Sequence, residues 1–172
     1  MLELLRKRRS IRRFMVRPVE AEKVELLIEA LLRSPSSKGR NPWEFIVVTD
    51  PQQLARLAAA KPKGGNFVAH APLAIVVCAD PEICDVWIED CSIAAIILQL
   101  VAQDLGLGSC WSQIRLRDHA DGDSASDYLR TVLNLPARYQ VEAIVGIGYP
   151  VEDKAGHHKD QLPYHKIHRE QF

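Results

Sequence analysis

The sequence has few of the features that mark disulfide-bonded or membrane proteins. Its four cysteines are widely spaced and form no CxxC pair, so we expect buried free thiols in a reducing cytoplasm. These cysteines are Cys78, Cys84, Cys91 and Cys110. Cys110 has no basic residue beside it in the sequence, which favours a packed thiol over a redox-active one. The longest apolar run, residues 93–102, is too short to cross a bilayer, and the charged N-terminus is unlike a signal peptide, so we expect a cytoplasmic protein with no membrane association.

The sequence also lacks a net charge, since 22 lysines and arginines balance 22 aspartates and glutamates. No overall field therefore favours nucleic acid or an anionic membrane. Seven basic residues nevertheless lie near the N-terminus with no acid among them: Arg6, Lys7, Arg8, Arg9, Arg12, Arg13 and Arg17. A solvated face or a nucleic-acid patch could explain this run, but only Phe14 would be there to stack on bases. Arginines around the hydroxyl of Ser10 suit a bound phosphate instead.

Helical and strand patterns alternate along a single predicted domain, residues 1–172. Apolar spacing, caps and helix breakers predict helices over residues 2–8, 19–32, from Asp50 onward, 90–105 and 124–133. Buried strands are predicted at 45–49, 73–79 and 141–149, and residues 109–114 suit a short strand or an extended turn. Since helices of unequal length separate the strands, the pattern favours an α+β or mixed α/β fold over a regular doubly wound sheet.

Two segments have no evident cover within a chain of this size. The helix at 90–105 is apolar on more than one face, so either the core or a second subunit must cover it. The polar tail after Pro150 has no periodic core pattern and either frays or lies along another subunit. The histidines of that tail, at 157, 158, 165 and 168, have no cysteine or carboxylate at a metal-site spacing, so we expect no metal.

Four motifs follow one another along the chain. Arg8-Arg9-Ser10-x-Arg12 is followed by a polar turn, residues 34–37, which leads to Asn41-Pro42-Trp43 before a buried strand. Leu105-Gly106-Leu107-Gly108-Ser109-Cys110-Trp111 ends the apolar helix, and Val145-Gly146-Ile147-Gly148-Tyr149-Pro150 closes the last strand. Each motif alone is weakly specific, but in this order the four resemble the FMN-dependent nitroreductase family over most of the chain.

The resemblance implies the α+β nitroreductase fold, with a central mixed, mostly antiparallel sheet flanked by helices. It further implies a domain-swapped homodimer that holds two FMN molecules at its interface. The implied activity is that of an NAD(P)H-dependent flavin oxidoreductase with a ping-pong mechanism. NADH or NADPH would reduce the flavin, and a small-molecule acceptor such as a nitroaromatic or a quinone would reoxidise it. The flavin N5 carries this chemistry, so no side chain is assigned a catalytic role.

Two alternatives stay open beside this activity. One is a flavin-binding carrier or sensor without turnover. The other is a specialised relative of the same family, such as a flavin reductase, a dehalogenase or an oxidase. The sequence contains no GxGxxG motif from which a preference for NADH or NADPH could be inferred.

The resemblance assigns the phosphate end of the flavin to the basic N-terminus. Arg8 and Ser10 match the positions that bind the phosphate and the ribityl chain, with Arg9 in support. Arg12 matches the cation beside N1 and O2, where negative charge appears when the ring is reduced. The family often adds a basic pair near the C-terminus, of which only Lys159 falls in place here. Phosphate binding is therefore expected to depend mainly on the N-terminal arginines.

The resemblance implies seven residues around the flavin ring: Pro35, Ser36, Ser37, Asn41, Asn66, Trp111 and Ser112. The first three match a loop that lies against the ring, in this family usually from the neighbouring subunit. The two asparagines would offer amides to the polar edge of the ring. The backbone of the last two would offer N–H groups to N5 and O4. The segment between Ala79 and Asp90 is short compared with longer family members, which implies an open pocket.

Overall fold

The computed structural model describes residues 1–172 and contains five helices and four strands. The helices are α1 (Leu2–Lys7), α2 (Ala21–Leu32), α3 (Pro51–Ala58), α4 (Trp87–Asp104) and α5 (Ala125–Leu133). The strands are β1 (Trp43–Val48), β2 (Leu73–Ala79), β3 (Gly108–Gln113) and β4 (Gln140–Gly148). Short 3₁₀ turns lie at Ser37–Gly39, Asn66–His70, Lys159–Gln161 and Tyr164–Lys166. Every predicted helix and strand is present, with ends that are the same or shifted by a few residues, and the segment after α4 is a strand.

The four strands form one sheet in the order β1-β2-β4-β3, and all three neighbouring pairs are antiparallel. β2 is buried along its whole length, because it is a central strand with both faces covered. The one parallel pairing is a bridge between Ser10 and Ser109, where the chain leaving α1 runs beside the start of β3. The predicted mostly antiparallel sheet is confirmed, and its parallel part is this single bridge.

Helices cover both faces of the sheet, which confirms the predicted α+β architecture. On one face, Leu57 of α3 and Leu129 of α5 belong to the same buried cluster as Val76 of β2. On the other face, α2 and α4 pack against the sheet through side chains such as Leu27 and Leu98, which are fully buried. Successive side chains of a pleated strand point to opposite faces, so the same strands supply both clusters.

Capping side chains determine where α3 and α5 begin. The carboxylate of Asp50 accepts the Gln53 backbone N–H at 2.8 Å, and Pro51 occupies the first turn of α3. The hydroxyl of Ser124 accepts the Asp127 N–H at 3.0 Å. Each cap satisfies an N–H group that has no partner inside its helix. Both starts are therefore decided by a few neighbouring residues, and both are predicted from the sequence.

The chain by itself covers only part of α4. Ala94 and Leu98 are fully buried, whereas Ile93 and Ile96 remain 39% and 38% exposed. The tail from residue 157 onward is exposed throughout. These are the two segments for which the sequence predicts a second subunit as a possible cover, and the homodimer stays a prediction.

All four cysteines are free and buried, as predicted. No helix is both long enough and apolar enough to cross a bilayer. No group of three or more histidine, cysteine, aspartate or glutamate side chains comes together as the ligands of a metal would.

Candidate functional site

The basic N-terminal segment is held against the start of β3. α1 ends just before Arg8, which turns into extended backbone with φ −60° and ψ 126°. The Ile11 N–H then donates to the Ser109 carbonyl at 2.9 Å. A Cβ added to Gly108 would lie 2.8 Å from the Ile11 Cβ, so the missing side chain of glycine allows this close approach. The basic segment is thereby fixed alongside β3.

The charges of four residues influence the buried thiol of Cys110 or respond to it. These residues, Arg8, Arg12, Lys61 and Lys154, are called the basic cluster below. Burial raises the pKa of Cys110, while Arg12, Lys154 and Arg8 lie close enough to offset part of that rise. Lys61 also lies close enough for its own pKa to respond to the thiol. As expected, no basic residue is adjacent to Cys110 in the sequence. The folded chain nevertheless brings basic residues close enough to influence its thiol. The raised pKa nevertheless describes a packed thiol, as predicted.

The chain after β4 brings Lys154 to the basic cluster. Its ammonium donates to the Ser10 carbonyl at 3.4 Å and pairs with Glu152 at 2.7 Å. The predicted Lys159 lies in the exposed tail and forms neither a hydrogen bond nor a salt bridge with the cluster. Within one protomer, Lys154 lies in the basic cluster and Lys159 does not. The only signal for Lys154 in the sequence is that it is the first lysine after the last strand.

Arg9 holds the tail on the N-terminal segment. Its guanidinium donates a hydrogen bond to the Ala155 carbonyl. The next residue, Gly156, packs so closely that an added Cβ would collide with the carbonyl oxygen of Arg6. Arg9 thus keeps the chain that carries Lys154 in place, which fits a supporting role.

The polar loop at residues 34–41 is fixed by its own hydrogen bonds and by α4. The Ser36 hydroxyl accepts the Asn41 N–H at 2.9 Å and donates to Asn41 Oδ1 at 2.6 Å. The Ser37 N–H donates to the buried carboxylate of Asp90 at 2.8 Å. Asn41 has a φ of 48°, in the left-handed region that asparagine tolerates better than most residues. Pro35 is exposed at the start of this loop.

The loop and the basic cluster lie near opposite ends of α4 within one chain. The loop binds Asp90 in the first turn of α4, whereas β3 begins just after Leu107, whose N–H donates to the Ala102 carbonyl at 2.8 Å. Twelve residues separate Asp90 from Ala102, which corresponds to about 18 Å along a helix axis. A single protomer therefore keeps the loop apart from the basic cluster.

The free edge of β3 presents every second backbone N–H. In an antiparallel pair, alternate residues direct their N–H and C=O groups toward the partner strand or away from it. The Ser109 carbonyl points away from β4, since it accepts the Ile11 N–H. The backbone N–H groups of Trp111 and Gln113 therefore also point away from β4. The N–H of Ser112 faces β4, and its buried hydroxyl has no partner. Gln113 is therefore an additional candidate donor that the sequence interpretation missed.

The remaining predicted residue, Asn66, is exposed at the start of its 3₁₀ turn.

Comparisons with known proteins identify this combination of elements. The family described as Nitroreductase family matches residues 5–63 and 59–149. The chain belongs to the Nitroreductase family. A candidate NADH dehydrogenase/NAD(P)H nitroreductase of Archaeoglobus fulgidus is 34% identical to it, over 99% of this chain and 98% of that relative. The structure of an FMN-dependent nitroreductase from Clostridium difficile R20291 matches with a TM-score of 0.98 and 48% identity, over 100% of both chains.

A further solved structure has the same fold. It is a candidate NADH dehydrogenase/NAD(P)H nitroreductase from Parabacteroides distasonis, with a TM-score of 0.89 and 34% identity over 99% of this chain and 98% of that one. The predicted family and the predicted nitroreductase fold are both confirmed.

In this Nitroreductase family member, a buried carboxyl supports the open edge of β3. The Gln113 side chain accepts the Trp111 indole N–H at 3.0 Å and donates to Glu142 Oε1 at 3.2 Å. The other carboxyl oxygen, Oε2, has no partner. Burial raises the pKa of Glu142, and the hydrogen bond from Gln113 and the charge of Arg115 offset only part of that rise. Glu142 therefore favours its protonated form more than a free glutamate does.

We expect a Glu142→Gln variant to gain stability relative to the wild-type protein as the pH rises above about 4.3, the ordinary pKa of glutamate. Because the folded pKa is raised, the unfolded chain releases the proton first, and rising pH then favours unfolding until the folded pKa is passed. The amide cannot ionise and keeps the contact with Gln113. Urea unfolding of both proteins between about pH 4 and about pH 8 measures the difference. Parallel stability curves would contradict this account of Glu142.

Proposed function

We propose that this member of the Nitroreductase family is an FMN-dependent oxidoreductase that oxidises NADH or NADPH and reduces small-molecule acceptors such as nitroaromatics or quinones. One observation carries the proposal: unpaired cations converge beside a strand edge with open N–H groups. Arg8 and Arg12 belong to no salt bridge. Trp111 and Gln113 direct their N–H groups to the free edge of β3, an edge strand of the sheet.

The names of the relatives support the cofactor and the reductant. The structural neighbour from Clostridium difficile is named an FMN-dependent nitroreductase, and the name of the Archaeoglobus fulgidus relative includes both NADH and NAD(P)H. Both cover nearly the whole of this chain. The likeness therefore includes the basic N-terminus, β3 and the tail, which are the parts that would bind the flavin.

The basic cluster fits the phosphate of FMN. Such a phosphate carries nearly two negative charges, and guanidinium groups bind its oxygens through paired hydrogen bonds. Arg8 would bind the phosphate and Ser10 the ribityl chain. Lys154 adds a further positive charge, which its salt bridge to Glu152 partly neutralises. Since a paired lysine attracts an anion less strongly than a free arginine, Arg8 would carry the larger share of phosphate binding.

The remaining contacts fit the flavin ring. Arg12 would lie on the N1 and O2 side, where it stabilises the negative charge of the reduced ring. The open N–H groups of Trp111 and Gln113 would donate to N5 and O4. Bound FMN supplies the hydride transfer itself, so the chain has to bind, orient and polarise, and we assign no side chain as a catalytic acid or base.

We infer that the complete site forms in a domain-swapped homodimer. The loop at residues 34–41 and the basic cluster lie near opposite ends of α4, and a second chain would bring a loop beside the cluster. The partly exposed face of α4 at Ile93 and Ile96 offers an apolar surface for such a partner. A ping-pong order follows if the reductant and the acceptor use the same open face of the flavin in turn.

Anaerobic flavin reduction tests the proposed function. We expect the purified protein to show flavin absorbance, either as isolated or after FMN is added. NADH or NADPH should bleach that absorbance, and a nitroaromatic or a quinone should restore it without the reductant present. A protein that gains no flavin bands would refute FMN binding. Flavin bands that neither nicotinamide bleaches would instead indicate a carrier or a sensor. Intersecting rather than parallel double-reciprocal plots would refute the ping-pong order.

A further inference from the structure

Glu142 is the extra residue of a bulge in β4. Along the pairing of β2 with β4, Val77 lies opposite Ala143, and the next residue, Cys78, lies opposite Val141. Glu142, between these two residues of β4, therefore has no partner on β2. A bulge bends its strand and redirects a side chain, and bulges are common beside functional sites. Here the redirected side chain is a carboxyl that is only 4% exposed. Burying a carboxyl costs free energy unless its oxygens are used, so this position calls for a specific contact.

The same residue holds the end of β3. The Glu142 carbonyl accepts the N–H of Ile114 at 3.0 Å and the N–H of Arg115 at 3.1 Å. The side-chain oxygen Oε1 accepts the amide of Gln113 at 3.2 Å. Three consecutive residues are thus bound to Glu142, two through its backbone and one through its carboxyl. A substitution at this position removes only the third contact.

The amide of Gln113 has one orientation that satisfies its partners. The Trp111 indole can only donate, so the amide oxygen faces it, at 3.0 Å. The amide nitrogen then donates to Glu142 Oε1 and, at 3.2 Å, to the Arg115 carbonyl. Oε1 has to accept whether the carboxyl is charged or neutral. A hydrogen-bond network therefore extends from Trp111 through Gln113 to Glu142.

This network fixes the part of β3 that no other strand supports. The outer side of β3 is held at its start by the bridge between Ser10 and Ser109. Beyond that bridge the outer side has no neighbouring strand, since β3 is the last strand of the sheet. Trp111 and Gln113 direct their N–H groups to this side, and the network connects their side chains. The aim of these N–H groups therefore depends on β4 and on the contact with Glu142.

We propose that Glu142 is a positioning residue of the flavin site: it acts through the Gln113 amide to aim the open N–H groups of β3 at N5 and O4. This inference rests on the proposed function. Hydride transfer from NAD(P)H forms an N–H bond at N5, releases NAD(P)⁺ and leaves one negative charge shared by N1 and O2. N5 therefore accepts a hydrogen bond in the oxidised ring and not in the reduced ring. A well-aimed N–H at N5 stabilises oxidised FMN selectively, so loosening the strand edge should weaken the binding of oxidised FMN more than that of reduced FMN.

The affinities for oxidised and reduced FMN test this role without relying on turnover. The dissociation constant of each form is measured anaerobically for the wild-type protein, Glu142→Leu and Glu142→Gln. We expect Glu142→Leu to weaken oxidised FMN about fivefold more than reduced FMN, within the range of one neutral hydrogen bond. That change raises the reduction potential of the bound flavin by about 20 mV for a two-electron couple. Glu142→Gln removes the same charge but keeps an acceptor for Gln113, so its ratio of affinities should stay within about twofold of the wild-type ratio.

A double variant shows whether Glu142 acts through Gln113. Gln113→Leu keeps the backbone N–H and removes the amide that connects Trp111 to Glu142, so it should have the same fivefold effect. Two substitutions that break one network are not additive. Gln113→Leu/Glu142→Leu should therefore change the ratio about fivefold, whereas independent effects would multiply to about 25-fold. Circular dichroism reports the fold of each variant, and Gln113→Leu together with Glu142→Gln carries the test should Glu142→Leu not fold.

Three results would overturn the positioning role. Glu142→Leu and Gln113→Leu could weaken both forms of FMN equally, which would indicate a general effect on the fold of the site. Glu142→Gln could shift the ratio as much as Glu142→Leu does, which would point to charge and not to the hydrogen bond. The double variant could also show the full product of the two single effects. A wild-type protein that binds no FMN would refute the proposed function itself, and this result is distinguishable from the other three.

Discussion

An Arg8→Ala variant is expected to lose most of its FMN during purification while keeping the wild-type fold. Arg8 belongs to the basic cluster and forms no salt bridge, so its guanidinium is free to bind the phosphate in the proposed site. A hydrogen bond to a charged group contributes about 1.5–3 kcal/mol. Its removal is expected to raise the dissociation constant of FMN by about 10- to 150-fold.

Arg6 provides the matched control for Arg8. It lies two residues earlier on α1, its side chain is 59% exposed, and it pairs with Glu3. Arg6→Ala removes the same charge from the same segment and is expected to change FMN affinity less than about twofold, because exposed pairs contribute little. Flavin titration of the three proteins measures the dissociation constants, and circular dichroism reports the fold. Full FMN affinity in Arg8→Ala would refute the assigned phosphate contact, and an equal loss in Arg6→Ala would indicate a general effect of charge.

The elements that the sequence predicts correctly are those decided by neighbouring residues. Residues 73–79 are predicted as a strand and form β2 with the same ends. The run after Pro72 is continuously apolar and seven residues long, which is typical of a buried strand. α5 begins after Ser124 because the cap lies three residues from the N–H group that it accepts. In both cases the free energy that selects the structure comes from contacts within a few residues or from burial of a periodic pattern.

Asp90 shows where such local inference ends. It is predicted to precede the long apolar helix, yet α4 begins at Trp87, and its first residue has no side-chain cap. The carboxylate of Asp90 instead accepts the N–H of Ser37, a residue 53 positions away in the chain. An aspartate at the start of an apolar run is compatible with a cap and with an anchor for a distant loop. Only the tertiary structure distinguishes the two.

The basic cluster could be predicted only in the part that is contiguous in sequence. Arg8 and Arg12 lie four residues apart, and a motif of that length can be recognised in the sequence. Lys61 and Lys154 join them from a turn and from the chain after the last strand, and neither position carries a local pattern. The same limit explains why the sequence interpretation names Lys159 and misses Lys154. The path of the tail depends on its packing against Arg6 and Arg9, which are about 150 residues away in the sequence.

Mixing two defective variants is expected to restore FMN binding if the site forms between two chains. Arg8→Ala removes the proposed phosphate contact. The double variant Ser36→Ala/Asn41→Ala removes the hydrogen bonds that shape the loop at residues 34–41. If each loop completes the site of its neighbour, a mixed dimer has one site with both defects and one site with neither. Random mixing makes half of the dimers mixed, so about a quarter of all sites should regain wild-type affinity.

The mixed dimer distinguishes a shared site from a site built within one chain. Co-expression with two different affinity tags isolates it, and we expect about one FMN per mixed dimer, against little or none in either parent. A site within one chain gives the opposite result, because each site of the mixed dimer then carries one defect and nothing is recovered. The geometry of α4 favours recovery. The loop is bound to the first turn of this helix and the basic cluster lies near its other end, about 18 Å away along the axis. A continuous helix cannot bring its own ends together, whereas a second copy related by a two-fold axis can place its loop end beside the cluster end of the first.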